Sequence, residues 1–541
     1  MKGNVLKVLA VAVVVVLLLP VTTQVGNTAG QEKNPLDNVP RFLEEIEDAG
    51  FSWQEGAFLY IDPIRETCEG RYPTAMGNNP WPSAYFQLQM PNPEDAGYPL
   101  PIAAQWQMKQ DEAILLIGQT PPAVRYFSLQ TWVQLGPAAN LDPSLPIPAT
   151  RTLIGSAFGD TINNLTIHTT GKDPFGRPIV YMIVANRETE RRVRAAVLAA
   201  GYPAAIINVE TLSQVIAPLG IGPAGSILTT LQRNAVPSDQ VAFERYVRRS
   251  IPGDPLYDPP YRAFRLSPVE ALAADPYPVP TLRVRGTGHS ELDLLPALKS
   301  LGQAILAKEA ERHPALPVKE LGIRFWQDPM ESGQLEWIDE PWAGLQRGEY
   351  SYLGSRDTNY FQTYPYFKLR SNVDDEYVIV YGVNHHTTGK ATYESFSVYV
   401  EPTFGIGREI GLGTVSDPLF DKGGPPGDSA RKYLQPGDPY YEYADMLYAW
   451  KIARHCDPGD LPYCLEVGNP SDINHVPYNN NCSPPINLDP NPNDPNEKPW
   501  KTNVFVVFRG YMEPATAVSP DSNELVWDRA IYFGPYFTEP Q

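Results

Sequence analysis

The clearest pattern of apolar and polar positions in the chain runs from Pro178 to Val209. Ile179–Ala185 is an unbroken apolar run with the length and β-branched content of a strand buried on both faces. Val193, Ala196, Val197 and Ala200 then recur at helical spacing, with Arg191, Arg192 and Arg194 on the other side. Asn186 is placed to cap that helix, and Glu188 and Glu190 sit in its first turn, where the helix dipole favours anions. Gly201 allows a left-handed exit, Pro203 bars continuation, and Ala205–Val209 reads as a second strand. The pattern predicts a strand–helix–strand unit with parallel strands and a right-handed crossover.

Weaker patterns flank it. Pro40–Ala49 reads as a short amphipathic helix capped by Asn38, and strands are expected at Ala57–Asp62, Ala84–Gln89 and Ala113–Gly118. Arg125–Gly136 alternates, as a half-buried strand does, and so does Asn164–Thr169, which places Leu165 and Ile167 inward and His168 on the other face. Thr211–Pro218 and Ser238–Ser250 read as helices. Prolines and aspartates punctuate residues 251–280, the expected linker. Beyond it come a strand at Thr281–Arg285 and the longest helix, Leu294–Arg312, with Asp293 as its cap and Leu294, Leu298, Leu301 and Ile305 as its buried stripe. Strands follow at Glu376–Val383, Ala391–Glu401, Val504–Tyr511 and Leu525–Phe533. No internal repeat is evident. The expectation is an α+β (mixed α/β) protein: residues 36–250 form a domain with a mixed sheet around the strand–helix–strand unit, and residues 281–541 form a mainly antiparallel β domain with one long helix.

Charge narrows the partners. The 541 residues carry a formal net charge of −19, which repels phosphate backbones and anionic headgroups and argues against nucleic-acid or peripheral membrane binding. Residues 1–30 have the layout of a signal peptide or N-terminal anchor: Lys2 and Lys7, the apolar stretch Val8–Leu19, Pro20, then small residues. A membrane association is expected only through that segment, if it stays uncleaved. The four cysteines, Cys68, Cys456, Cys464 and Cys482, fit an oxidising compartment and suggest the pairs Cys456–Cys464 and Cys68–Cys482. His455 and His475 lie near three of them, yet no zinc-knuckle spacing is present.

Candidate chemistry is concentrated in the second half. The loop Asn384–Lys390 holds His385 and His386, and imidazole near neutral pH serves as metal ligand or proton carrier. With a carboxylate from Asp339, Glu340 or Asp357 these histidines form the candidate catalytic set of a secreted hydrolase. Gly348–Phe367 is rich in aromatics, and Tyr350, Tyr352, Tyr360, Tyr364 and Tyr366 beside Asn, Gln, Arg and Asp suit a saccharide platform. Asp489–Glu497 alternates oxygen-bearing side chains but departs from the calcium-loop template and reads as a proline-rich linker. Gly427-Asp428-Ser429 with Asp472-Ile473-Asn474-His475 resembles the first and last blocks of the SGNH (GDSL) hydrolases, a resemblance that would make Ser429 the nucleophile with Asp472 and His475 as its partners. The triplet follows Asp-Lys-Gly-Gly-Pro-Pro rather than a buried strand, and the family's other blocks are missing, so it is set aside. No phosphate loop, dinucleotide fingerprint, HExxH or GxSxG word occurs, and no cofactor or metal is expected. The functional expectation is an extracytoplasmic binding or cell-envelope protein for a saccharide or other neutral small ligand, with the hydrolase as the alternative.

Overall fold

The predicted strand–helix–strand unit is present, and it is one corner of a larger pattern that occurs twice. A computed structural model describes residues 34–62, 84–91, 104–137, 151–222, 224–325, 354–369, 376–401, 410–416, 420, 422, 427–467, 474–475, 478–479 and 503–534. Pro35–Gln541 falls into a single compact unit.

The first half runs α1 (Val39–Asp48), β1 (Phe51–Ile61), β2 (Ala84–Gln89), β3 (Ala113–Gln119), β4 (Val124–Pro137), β5 (Arg151–Ala157), β6 (Ile162–Asn163), β7 (Pro178–Val184), α2 (Arg187–Ala199), β8 (Ile207–Thr211), β9 (Ile227–Pro237), α3 (Gln240–Arg248) and β10 (Tyr261–Pro268). The second runs α4 (Leu295–Arg312), β11 (Val318–Phe325), β12 (Thr358–Tyr364), β13 (Tyr377–Val383), β14 (Tyr393–Glu401), β15 (Ile410–Ser416), β16 (Leu447–Ala453), β17 (Cys464–Glu466), β18 (Asn474–His475), β19 (Tyr478–Asn479), β20 (Asn503–Tyr511) and β21 (Arg529–Phe533). The class is mixed α+β, as expected. Strand β10, inside the proline-rich stretch read as linker, pairs with both β1 and β3 and is integral to the first sheet. Its prolines lie outside the strand apart from the terminal Pro268, so the ladder is intact.

The first sheet has the order β5-β4-β9-β2-β1-β10-β3-β7-β8, with β6 beside β4, and the second has the order β15-β14-β20-β12-β11-β21-β13-β16-β17. Taken by rank of appearance along the chain, these are the same order. Each sheet is antiparallel except for its last pair, β7 with β8 and β16 with β17. Registers agree as well. Tyr126 pairs with Ala235 and Ser128 with Arg233 in the first sheet, where Tyr393 pairs with Tyr511 and Ser395 with Arg509 in the second. Residue for residue, YFSLQTWV from Tyr126 then matches YESFSVYV from Tyr393. The residue after Ala235 or Tyr511, Val236 or Met512, is left-handed in each half (φ 52° and 45°), a conformation side chains with a Cβ rarely adopt. Gly118 and Gly382 correspond too. A Cβ on the first would meet Pro260 O at 2.2 Å, and one on the second Asp528 Oδ1 at 2.3 Å. The chain is an internal structural duplication, contrary to the sequence reading.

Where the halves differ, the physics is local. In the first, α2 makes the crossover between parallel strands. Asn186 Oδ1 accepts from the backbone N–H of Glu188 and Thr189, Gly201 is left-handed (φ 94°), and Val193, Ala196 and Val197 pack on the sheet. In the second the crossover is the short turn between β16 and β17, closed by the expected Cys456–Cys464 disulfide (Cα–Cα 5.9 Å). Parallel strands usually need a dozen or more residues to connect, and the covalent bridge stands where the helix would. Cys68 and Cys482 lie outside the described residues.

Other expectations changed in detail. Asp293 lies within a 3-10 turn, Leu292–Leu294, so Leu294 occupies the N-cap of α4 without a side-chain cap. Asn38 likewise makes no side-chain cap bond to α1. Asn164–Thr169 and Thr281–Arg285 are not strands, and Leu165 is exposed. Two apolar layers cover the faces of each sheet. α1 and α2 pack on one side of the first sheet and α3 on the other, while α4 covers one side of the second. Among the described residues no helix is long and apolar enough to cross a membrane.

Candidate functional site

Asp357, at the turn before β12, reaches across to the first half. Its carboxylate accepts from Tyr126 Oη (3.0 Å), Thr161 Oγ1 (2.5 Å) and Asn163 Nδ2 (3.1 Å), all buried. Burial raises its pKa to about 6, against the opposing pull of those hydrogen bonds. Beside it Tyr126, Ala235, Tyr393, Tyr511 and Met512 form one cluster, with the rings of Tyr126 and Tyr393 each about 5 Å from that of Tyr511. Tyr126 is the counterpart of Tyr393, and Ala235 of Tyr511, so the duplicated sheets meet through equivalent positions, as around a local twofold axis. Asp357 is a clasp between halves, fully shielded from solvent.

His385 is only 3 % exposed. Its Nδ1 lies 3.0 Å and 2.9 Å from the two oxygens of Glu291, which also accepts from Thr388 Oγ1 (2.5 Å) and the backbone N–H of Val526 (3.1 Å). The His385 backbone N–H donates to Glu394 (2.7 Å). Burial would lower the imidazole pKa, but Glu291, Glu394 and Asp528 together carry it up to about 10. Burial would raise the Glu291 carboxyl, but the imidazolium, with the Thr388 hydroxyl and the Val526 N–H, holds it below its usual range. His386 points elsewhere: its Nε2 lies 2.7 Å from Arg125 Nη1, and burial and then that guanidinium lower its pKa. The two imidazoles and Asp357 therefore serve three separate networks. Asp339 and Glu340 lie outside the described residues, and no cluster of metal-ligating side chains is present among the described ones.

The aromatic candidates are packed. Tyr360 is buried, with the guanidinium of Arg509 5.8 Å from its ring. Arg324 sits 4.1 Å from the half-buried Tyr364 ring, and Tyr366 stacks on Phe505 (5.0 Å). Tyr350 and Tyr352 lie outside the described residues. Ser429 is buried, its hydroxyl accepting from the Ala449 N–H (3.3 Å), which is a structural bond; Asp472 lies outside the described residues.

One cleft formed by described residues lies in the first half, where the sequence offered no motif. A cleft of about 570 Å³ lies between the β3–β4 turn and α3, lined by Gln119, Thr120, Pro122, Arg245, Tyr246 and Arg249, with Leu256 and Asp258 at its rim. Arg249 is tied to Asp258 through Nη2 to Oδ2 (2.9 Å) and Nε to the backbone carbonyl (2.9 Å). Arg245, one turn earlier, is exposed and makes no side-chain hydrogen bond or ion pair among the described residues. The signal for this cleft was the i, i+4 pair of arginines in SDQVAFERYVRRS, legible as a wet helix face but not as a pocket wall.

No protein-family model and no curated protein matches the chain. A crystal structure of an uncharacterized protein from Burkholderia cenocepacia is similar at 11% identity and a TM-score of 0.31, covering 92% of this chain and 87% of that one.

Proposed function

We propose that this is an extracytoplasmic binding protein that holds a small ligand in the cleft between the β3–β4 turn and α3. The observation that carries the reading is the cleft itself: about 570 Å³, within the range of small-molecule sites, with amide, hydroxyl and guanidinium groups set among Pro122, Tyr246 and Leu256. Export is supported by the lysine-flanked apolar leader and by the Cys456–Cys464 disulfide, which persists in oxidising compartments. The hydrolase reading loses its support at His385, whose imidazolium keeps its proton to about pH 10 and so has no free lone pair to act as a base at neutral pH. The saccharide platform of the second half is weakened in the same way, because Tyr360 is buried and Tyr364 and Tyr366 are covered by Arg324 and Phe505.

Saturation-transfer NMR with a panel of small sugars, amides and organic acids tests the assignment. Ala242 lies on α3 at the cleft wall, so Ala242→Trp fills the space without touching the core. At least one ligand of the panel is expected to give signals with the native protein that disappear in the variant. Signals that survive the substitution place the binding elsewhere and contradict the reading.

A further inference from the structure

We infer that the cleft takes a small carboxylic acid, with its carboxylate held at Arg245 beside Arg249 and its apolar body against Pro122 and Leu256. The inference rests on the reading of this cleft as the binding site.

The lining supplies the first argument. Gln119 Nε2 already donates to Gly176 O (2.7 Å), and the Thr120 hydroxyl accepts from the Arg177 N–H (2.8 Å). Asp258 is matched to Arg249. Of the charged lining groups, Arg245 is the one without a side-chain partner among the described residues, and its planar guanidinium fork matches a carboxylate. Positions i and i+4 of a helix share a face, so Arg245 and Arg249 look into the same space. Two guanidiniums against one carboxylate make this a locally cationic spot on a chain of net charge −19.

The second half supplies an independent argument, because it shows what the equivalent corner binds. Thr120 N–H donates to Arg177 O (2.9 Å) where β3 ends, and its counterpart Asn384 N–H donates to Met446 O (2.8 Å) where β13 ends. Next to that second bond the carboxylate of Glu291 is inserted from the segment that joins the halves. There it meets a cation, a hydroxyl and a backbone N–H, from His385, Thr388 and Val526. The chain thus carries its own carboxylate ligand at one copy of the corner and leaves the other copy open; there Pro121 stands at the position of His385, and the cations come instead from α3.

Isothermal titration of acetate, hexanoate and benzoate, each against its neutral amide, tests this with the native protein, Arg245→Gln, Arg245→Lys and Ala242→Trp. The acids are expected to bind at least tenfold more tightly than the amides, Arg245→Gln to erase that difference, and Arg245→Lys to keep part of it. Amides that bind as well as the acids, with both lost in Ala242→Trp, overturn the carboxylate assignment and leave the cleft as the site. Binding by neither series overturns the carboxylate assignment, and binding indifferent to Ala242→Trp overturns both.

Discussion

At the scale of single residues the molecule spends its buried charges on joining parts rather than on chemistry. Asp357 is the clearest case. A carboxylate whose pKa rises from 3.8 to about 6 on folding costs stability once it ionises. The unfolded chain releases the proton first, so the contribution of Asp357 to stability is greatest below pH 4, falls through the window from about 4 to 6, and stays lower above it. The difference corresponds to about 3 kcal/mol. Thermal or urea unfolding followed from pH 4 to pH 8 should show that decline, and Asp357→Asn should flatten it even though the variant is less stable overall. An unchanged slope in the variant would mean that Asp357 does not titrate in this window. His385 acts in the same direction at higher pH: its folded pKa is raised to about 10, so the Glu291 pair stabilises fully below the unfolded value of 6.5 and that contribution is lost as pH climbs toward 10. The sequence made His385 and His386 stand out as two of seven histidines in one loop. Adjacent side chains on a turn diverge, and only the fold reveals that one meets Glu291, nearly a hundred residues away, while the other meets Arg125.

At the scale of elements, local signals and local structure agree best at Pro178–Val209. The Asn186 cap, the Gly201 exit and the parallel pairing of β7 with β8 all follow from one short stretch. Strand β9 was not legible, since Thr229, Thr230, Gln232, Arg233 and Asn234 are polar yet buried, and their partners come from strands far away in sequence. Strand β10 was hidden by the prolines around it. The disulfide turn was legible from CDPGDLPYC, but its role as a substitute for a crossover helix was not. Closing so short a loop contributes about 2–3 kcal/mol. Cys456→Ser, or mild reduction, should lower stability by that amount as read by denaturant midpoint. A negligible change would show that the strand pair holds its crossover without the bridge. The buried Lys451 beside it donates to Asp460 (2.5 Å), whose carboxyl is held well below its ordinary range despite burial by Lys451, Arg312 and Lys432, so the turn has polar support as well.

At the scale of the whole molecule, duplication explains both what is closed and what is open. Two sheets of one topology meet through Tyr126, Tyr393 and Tyr511, and each carries a corner at the end of its third strand. Among the identities that survive between the halves are Gly118 and Gly382, where backbone or side chains crowd the Cα; Tyr126 and Tyr393; Ser128 and Ser395; and Arg233 and Arg509, whose guanidiniums lie 4.4 Å and 5.4 Å from the rings of Trp132 and Tyr399. Such positions are fixed by sterics and buried polarity, while insertions such as the His385 loop and the loss of a helix obscure the repeat along the chain. One corner is filled by Glu291 and the other is an open cleft, which implies one ligand site per chain. The stoichiometry of hexanoate binding by isothermal titration tests this most directly: one site, abolished by Ala242→Trp, is the predicted result, and two sites or an unaffected heat of binding would contradict it.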